Sequence, residues 1–176
     1  LSVLARSSEK GLPFTEKGIT VKIGNYQDPS SLVEAMQGID SVLLISSSDF
    51  NDRIGQHKNV IDAAKAAGVQ HIFYTGVAIK NIETSPLKPL LGDHFETEAY
   101  IKQSGLTYTF LRNSLYADVV PMFIGANVLE TGVFFPAGEG KVAFANRNDL
   151  AKAIAQIIAS NGHENKTYHL TGSQAH

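Results

Sequence analysis

Five apolar, strand-like stretches of this sequence are each followed at once by arginine, glycine or small polar residues. The residues that follow them are Arg6, Ser7 and Ser8; Gly24, Asn25 and Tyr26; Ser46, Ser47 and Ser48; Thr75, Gly76 and Val77; and Arg112, Asn113 and Ser114. Glycine and small hydroxyl residues let a backbone approach a ligand closely. They also cap helices and form turns, which is the commoner role at any single position. Five such positions in register favour a ligand-binding groove.

The elements that must position these residues alternate between strand and helix. Strands are predicted at residues 2–5, 20–23, 41–45, 71–75, 107–111 and 167–170, and helices at about 29–37, 52–67, 93–104 and 148–158. Because strand and helix alternate, the predicted fold class is α/β, with a Rossmann-like, doubly wound and mostly parallel sheet. Such sheets bind ligands at the carboxyl ends of their strands, which is where the polar residues lie.

Arg6 indicates which ligand the groove takes. In dinucleotide-binding units an acidic residue after the second strand accepts hydrogen bonds from a ribose 2′-hydroxyl, whereas a cation there pairs with a 2′-phosphate. Arg6 is followed by two serines, so NADPH is predicted in preference to NADH. A solvated arginine at the end of a strand is an equally open alternative.

Composition narrows the class of protein. Of the 176 residues, 43% are hydrophobic and 18% are charged, as in one globular domain. A net charge of −2 and scattered basic residues argue against nucleic acid as a partner. The sequence contains no cysteine, so thiolate metal sites are excluded and a cytoplasmic location is expected. No apolar run reaches the roughly 18 residues that a membrane span needs, so no membrane association is expected.

The stretch from Gly138 to Ala143 matches the spelling of a G-x-G-x-x-[GA] phosphate loop. That motif requires a strand before it and a helix opening within it. Here short extended runs, at residues 134–136 and 142–145, lie on either side. We therefore predict a hairpin-like turn at this position and not a pyrophosphate site.

The order of the motifs resembles a known family. The segments concerned are 24–28 (GNYQD), 43–48 (LLISSS), 56–64 (QHKNVIDAA), 67–69 (AGV), 74–76 (YTG), 104–106 (SGL) and 111–113 (LRN), with His94 and Glu98 between them. Together they resemble the NmrA-like branch of the atypical short-chain dehydrogenases, and within it the bacterial NADPH quinone oxidoreductase 2 type.

The resemblance implies that residues 1–112 form an incomplete NAD(P)-binding Rossmann-like region, with the first strand and the G-x-x-G-x-x-G loop missing. Residues 113–176 are expected to begin the substrate-side region and to add the last helix and strand of the same domain. The missing strand would lie between strands 2–5 and 41–45, so both would have an unpaired edge.

The resemblance also assigns the predicted cofactor site. It implies that Arg6 neutralises the 2′-phosphate, that Ser46, Ser47 and Ser48 pass the phosphates and ribose, and that Tyr74, Thr75 and Gly76 line the nicotinamide half, with Asn25 and His94 completing the set. None of the six tyrosines has a lysine four residues later. A tyrosine acid activated by lysine, as in short-chain dehydrogenases proper, is therefore not expected, and His94 stands where the family usually has lysine.

His94 has three readings. In the first, it contacts the nicotinamide ribose or relays a proton, because an unperturbed imidazole titrates at about 6.5. In the second, it pairs with Glu98 one helical turn later. In the third, it binds a metal, for which the sequence supplies too few partners. The first is preferred, since the family places this position at the cofactor. His57 is predicted to be a structural or surface histidine.

The function implied is hydride transfer from NADPH to a quinone or similar small electrophile, with the NmrA-type non-catalytic redox-sensing regulator as the alternative. Asn113 and Tyr116 are predicted to contact the substrate, with His94 as the third catalytic residue. Apolar residues at 121–124 and 134–135 are expected to line the cleft, although such residues more often form core. Residues 77–91 are the predicted lid, no metal is expected, and a homodimer is the possible assembly.

Overall fold

A computed structural model of the protein describes residues 1–133 and 139–175, in which strands and helices alternate. The strands are β1 (Ser2–Ala5), β2 (Thr20–Ile23), β3 (Ser41–Leu44), β4 (His71–Val77), β5 (Thr107–Asn113) and β6 (Lys166–Leu170). The helices are α1 (Ser8–Thr15), α2 (Pro29–Ala35), α3 (Arg53–Ala66), α4 (Lys88–Ser104), α5 (Val120–Ile124), α6 (Val128–Thr131) and α7 (Arg147–Ile158).

Every strand pair is parallel, and the strands form two sheets. One sheet pairs β1 with β2, and the other has the order β3-β4-β5-β6. The two sheets share a core, because Leu4 of β1 packs against the cluster that contains Leu32 and Leu44. The α/β class and the parallel, doubly wound arrangement predicted from the sequence are confirmed, and β1 and β3 share no ladder within the described part of the chain.

The four-stranded sheet is covered on both faces. Successive side chains of a strand point to opposite faces, and in β4 the buried Ile72 and Tyr74 belong to one apolar cluster whereas Phe73 belongs to another. The first cluster includes residues from α2, α3 and α4, and the second includes Ile154 of α7. Helices therefore flank the sheet on two sides, as the nearly continuous apolar strand sequences indicate.

The two central strands are longer than predicted. β4 and β5 each run two residues further than expected, so that Gly76, Val77, Arg112 and Asn113 lie within the strands instead of after them. The reason is their mutual ladder, which pairs His71 with Thr107 and continues in register to the ends of both strands. β3 is one residue shorter than predicted and ends at Leu44.

Two helices change the predicted loops. α1 was not predicted, although its N-cap Ser7 accepts a hydrogen bond from the Lys10 amide at 3.3 Å. α4 begins at Lys88 with Pro89 in its first turn, where a missing amide proton costs nothing. The predicted lid is therefore a loop only over residues 78–87, and Ile82 in that loop is buried.

Gly11 of α1 allows this helix to pack closely against β2. A Cβ atom added at Gly11 would lie 2.7 Å from Cγ1 of Val21, whereas one added at Gly92 in α4 would meet only Lys88 Cγ, at 3.8 Å. We expect Gly11→Ala to lower the free energy of unfolding by about 1 to 3 kcal/mol through overpacking. Gly92→Ala, the matched control, should raise it by up to about 1 kcal/mol through helix propensity. Urea unfolding of both variants tests this, and equal effects would contradict it.

Candidate functional site

A cleft of about 510 Å³ opens at the carboxyl ends of β1, β2 and β3. Its walls include five of the residues predicted to bind cofactor, namely Arg6, Asn25, Ser46, Ser47 and Ser48. Leu4, Ile45 and Tyr26 give it an apolar side. The Arg6 side chain is exposed and forms no ion pair with any residue in the described ranges. The cleft thus combines an unpaired cation with several hydroxyl groups.

The loop of residues 46–48, here called the serine loop, is held by hydrogen bonds to its backbone. The Ser46 amide donates to Thr75 Oγ1 at 2.9 Å, which ties the end of β3 to β4. The Ser47 amide donates to His57 Nε2 at 2.9 Å, and the Ser47 carbonyl accepts from Arg53 Nε at 2.9 Å. The conformation of the loop is therefore set by neighbouring side chains as well as by its own sequence.

Asp28 and Ser31 fix the neighbouring loop after β2. Asp28 is the N-cap of α2, since Oδ1 accepts from the Ser30 and Ser31 amides at 3.1 and 3.2 Å, and these bonds lower the pKa of its carboxyl. Ser31 Oγ in turn accepts from the Asn25 amide at 3.1 Å. The helix start thereby places Asn25 on the wall of the cleft.

Tyr74 and His94 form a pair outside the walls of this cleft. The Tyr74 hydroxyl and His94 Nδ1 are 2.9 Å apart, and Tyr74 is fully buried. Burial raises the pKa of the Tyr74 hydroxyl well above its usual value. Burial, followed by the nearby charge of Arg53, lowers the pKa of His94 to about 4. Near neutral pH both groups are uncharged, and one hydrogen bond joins them.

Glu98 pairs with Arg112 and not with His94. Arg112 Nε and Nη2 donate to the two Glu98 carboxylate oxygens at 2.8 and 2.6 Å, a bidentate pair in which Glu98 is buried. The predicted alternative of a His94–Glu98 contact is therefore wrong, because β5 presents a stronger partner to the carboxylate. Gly76 lies against this pair, and a Cβ atom there would be 3.3 Å from Glu98 Oε1.

Asn113 and Tyr116 lie together at the end of β5. Asn113 Nδ2 donates to the Tyr116 hydroxyl at 3.4 Å. Asn113 is buried, and its Oδ1 has no hydrogen-bond partner among residues 1–133 and 139–175. Of the apolar residues expected nearby, 121–124 fall in α5, where Met122 is 80% exposed. Residues 134–135, and the first of the two extended runs proposed around Gly138, lie outside the described residues.

Arg53, Gln56 and Thr97 were missed by sequence reasoning, and His57 was only partly anticipated. All four are buried. Gln56 lines the cleft and accepts from Ser47 Oγ at 2.7 Å. The structural reading of His57 is correct and the surface reading is wrong. The available signal was the i, i+4 spacing of Arg53 and His57, which places both on one face of α3.

No group of three or more His, Cys, Asp or Glu side chains is placed to hold a metal ion within residues 1–133 and 139–175. No helix in the same part of the chain is long and apolar enough to span a membrane.

A cleft at the carboxyl ends of parallel strands, with a cation beside hydroxyl groups, is typical of α/β proteins that bind a dinucleotide. Comparison with known proteins identifies the group more closely. The model of the NmrA-like family matches residues 2–174, and the chain belongs to this family.

Its relatives include several reductases. Quinone oxidoreductase 2 of Escherichia coli strain K12 is 44% identical over 98% of this chain and 59% of its own length. The crystal structure of NADPH-dependent quinone oxidoreductase QOR2 from the same species, complexed with NADPH, matches with a TM-score of 0.89 at 43% identity over 98% of this chain and 60% of that chain. Triphenylmethane reductase of Citrobacter sp., complexed with NADP(H), matches with a TM-score of 0.86 at 39% identity, covering 98% and 61%. The present chain thus spans about three fifths of their length.

His57 and His94 make stability depend on pH, because loss of hydration lowers the pKa of both side chains. His57 and His94 both have a pKa of about 4 in the folded protein, against about 6.5 in an unfolded chain. Between these values the unfolded chain binds more protons, so the free energy of unfolding should fall as pH drops from 6.5 towards 4. The limit is about 1.4 kcal/mol per pH unit for each histidine.

Urea unfolding at a series of pH values measures this slope. His57→Gln should reduce the slope by the share of one histidine, because glutamine binds no proton in this range. His169→Gln, at an exposed position of β6, is the control and should leave the slope as in the unmodified protein. A His57→Gln slope equal to that of the control would contradict the prediction.

Proposed function

We propose that the protein is an NADPH-dependent oxidoreductase that transfers a hydride to a quinone or a similar small electrophile. The observation that carries the proposal is the unpaired, exposed Arg6 guanidinium on the wall of the cleft, where a 2′-phosphate would meet it. The relatives whose names specify quinone or triphenylmethane reduction and NADPH or NADP(H) binding support the same chemistry.

The residues present fit the phosphorylated half of NADPH. Arg6 would pair with the 2′-phosphate, since guanidinium and phosphate form charge-assisted, bidentate hydrogen bonds. Asn25 and the serine loop would contact the ribose and the phosphates. Tyr74, Thr75 and Gly76 would lie towards the nicotinamide half, and the 2.9 Å bond between the Ser46 amide and Thr75 Oγ1 supports this by joining the two strand ends.

Bound NADPH would supply a hydride, which is one proton with two electrons. Reduction of a quinone to a hydroquinone would then need one further proton. His94 is the residue proposed to hold or relay that proton at its ring nitrogens. Its contact with the Tyr74 hydroxyl orients the ring, and the lowered pKa keeps it uncharged near neutral pH. Asn113 and Tyr116 are proposed to contact the substrate, and the unpartnered Asn113 Oδ1 supports this as an acceptor for a hydroxyl donor.

The organisation of the whole protein follows from the same proposal. We place the NAD(P)-binding region in residues 1–112 and the beginning of the substrate side in residues 113–176, and we propose a homodimer as the assembly. The sequence without cysteine supports a cytoplasmic location. The partner is a small molecule of quinone type.

Turnover tests the proposal directly. The purified protein should consume NADPH steadily in the presence of a benzoquinone or naphthoquinone, as followed by the fall in absorbance at the nicotinamide band. Hydroquinone should form in equal amount. NADPH binding without turnover for any quinone would contradict the enzyme and favour the redox-sensing regulator.

Arg6→Ala tests the specificity for NADPH. Loss of a charged hydrogen-bond partner costs about 1.5 to 3 kcal/mol, so we expect the Michaelis constant for NADPH to rise about 10- to 100-fold while that for NADH changes less than about threefold. Lys17→Ala removes an equal charge from an exposed position outside the cleft and serves as the control. An equal rise for NADPH and NADH in Arg6→Ala would contradict the assignment.

A further inference from the structure

We propose that Arg53 and His57 of α3 are positioning residues that hold the serine loop against α4, so that the loop at the cofactor cleft and the helix that carries His94 are fixed as one unit. The inference rests on the proposed function, because it gives the loop its role in binding NADPH. It assigns a task to two buried polar side chains that neither touch the proposed substrate nor line the cleft.

The hydrogen bonds of His57 run in one direction from the loop to the helix. The Ser47 amide can only donate, so His57 Nε2 is the acceptor and Nδ1 carries the proton. Nδ1 then donates to Thr97 Oγ1 at 2.8 Å, and the Thr97 hydroxyl donates to the Asp93 carbonyl at 2.7 Å. Burial, followed by repulsion from His94 when it is protonated and from the Arg53 guanidinium, lowers the pKa of His57 to about 4, so this neutral tautomer persists at physiological pH.

Arg53 makes the same connection through the other side of the loop. Its Nε donates to the Ser47 carbonyl at 2.9 Å and its Nη1 donates to the Leu90 carbonyl at 3.1 Å. Nη1 also lies 3.8 Å from the Asp93 carboxylate. The Arg53 side chain is only 4% exposed, and a single buried cation bridges the loop to the first turns of α4.

Both connections converge on the two peptide groups of Ser47. With its amide held by His57 and its carbonyl held by Arg53, neither peptide plane can rotate without breaking a buried hydrogen bond. Ser46 and Ser48, on either side of Ser47, line the cleft, and the Ser46 hydroxyl donates to the Ser47 carbonyl at 3.4 Å. At the helix end the contacts fall at Leu90, Asp93 and Thr97, the turns that surround His94.

Burying an arginine and a histidine between two elements costs free energy, because both side chains lose their hydration. Apolar groups of similar shape in place of both partners of a buried polar pair are often equally stable or more so, so stability alone does not explain polar contacts between two elements. Fixing the orientation of donors and acceptors before a ligand binds does explain them, because preorganised groups need not be ordered at the moment of binding.

A matched pair of substitutions separates positioning from mere stability. In His57→Gln the side-chain oxygen reaches the former Nε2 position and can still accept from the Ser47 amide. In His57→Asn the amide nitrogen occupies the Nδ1 position and keeps only the Thr97 contact. We expect the dissociation constant of NADPH, measured by fluorescence titration of the purified protein, to rise about tenfold in His57→Asn and no more than about threefold in His57→Gln. The Michaelis constant for the quinone should change little in either variant.

Melting temperatures of the two variants provide the structural readout, and both should fall similarly because each loses one buried hydrogen bond. Arg53→Lys gives a second test, since one ammonium cannot reach both the Ser47 and Leu90 carbonyls. This variant should also weaken NADPH binding. If His57→Asn does not fold, the NADPH affinity of Arg53→Lys tests the inference in its place. Equal NADPH affinities in the two His57 variants, or unchanged affinity in Arg53→Lys, would overturn the inference. Because binding is measured, quinone turnover can fail without affecting this result, whereas an unmodified protein that does not bind NADPH would overturn the proposed function itself.

Discussion

The ladder between β4 and β5 sets the register of the central sheet and so the positions of the residues at its carboxyl edge. It joins seven residues of each strand in parallel register, from His71 and Thr107 to Val77 and Asn113. A parallel pair needs a crossover, which α4 provides, and a sheet covered on both faces needs apolar residues at nearly every position. The length of the ladder carries Thr75, Gly76 and Asn113 to the same edge of the sheet as the serine loop.

Close packing at this edge explains why the polar groups are uncharged or tightly paired. Tyr74 and His57 are fully buried and His94 is partly buried, so a charge on any of them would lose hydration that the surroundings do not replace. The buried Glu98 carboxylate accepts two hydrogen bonds from the Arg112 guanidinium. Arg6 differs from these buried groups, because its side chain is exposed and water solvates its charge.

Helices α3 and α4 contribute more than cover for the sheet. One face of α3 places apolar residues such as Val60, Ile61 and Ala64 in the core, and the same helix presents Arg53, Gln56 and His57 to the loop after β3. α4 contributes His94, Thr97 and Glu98. They form hydrogen bonds with Tyr74, His57 and Arg112, respectively. The two helices thus supply most of the buried polar partners of β4, β5 and the serine loop.

Local signals were enough to predict the α/β class, the start of five of the six strands and the end of helix α4 at Gly105, because alternating apolar runs and glycine stops depend only on neighbouring residues. The sequence also placed Arg6, Asn25 and the three serines at strand ends, which the fold then gathers around one cleft. It could not predict α1, in which Gly11 and Pro13 weaken the helical pattern, and it misjudged the ends of β4 and β5. Folding establishes that Glu98 pairs with Arg112, that Tyr74 contacts His94, and that His57 joins the serine loop to Thr97. These partners lie 10 to 40 residues apart, so no local pattern encodes them, and the burial that shifts their pKa values exists only once the sheet and its helices have packed.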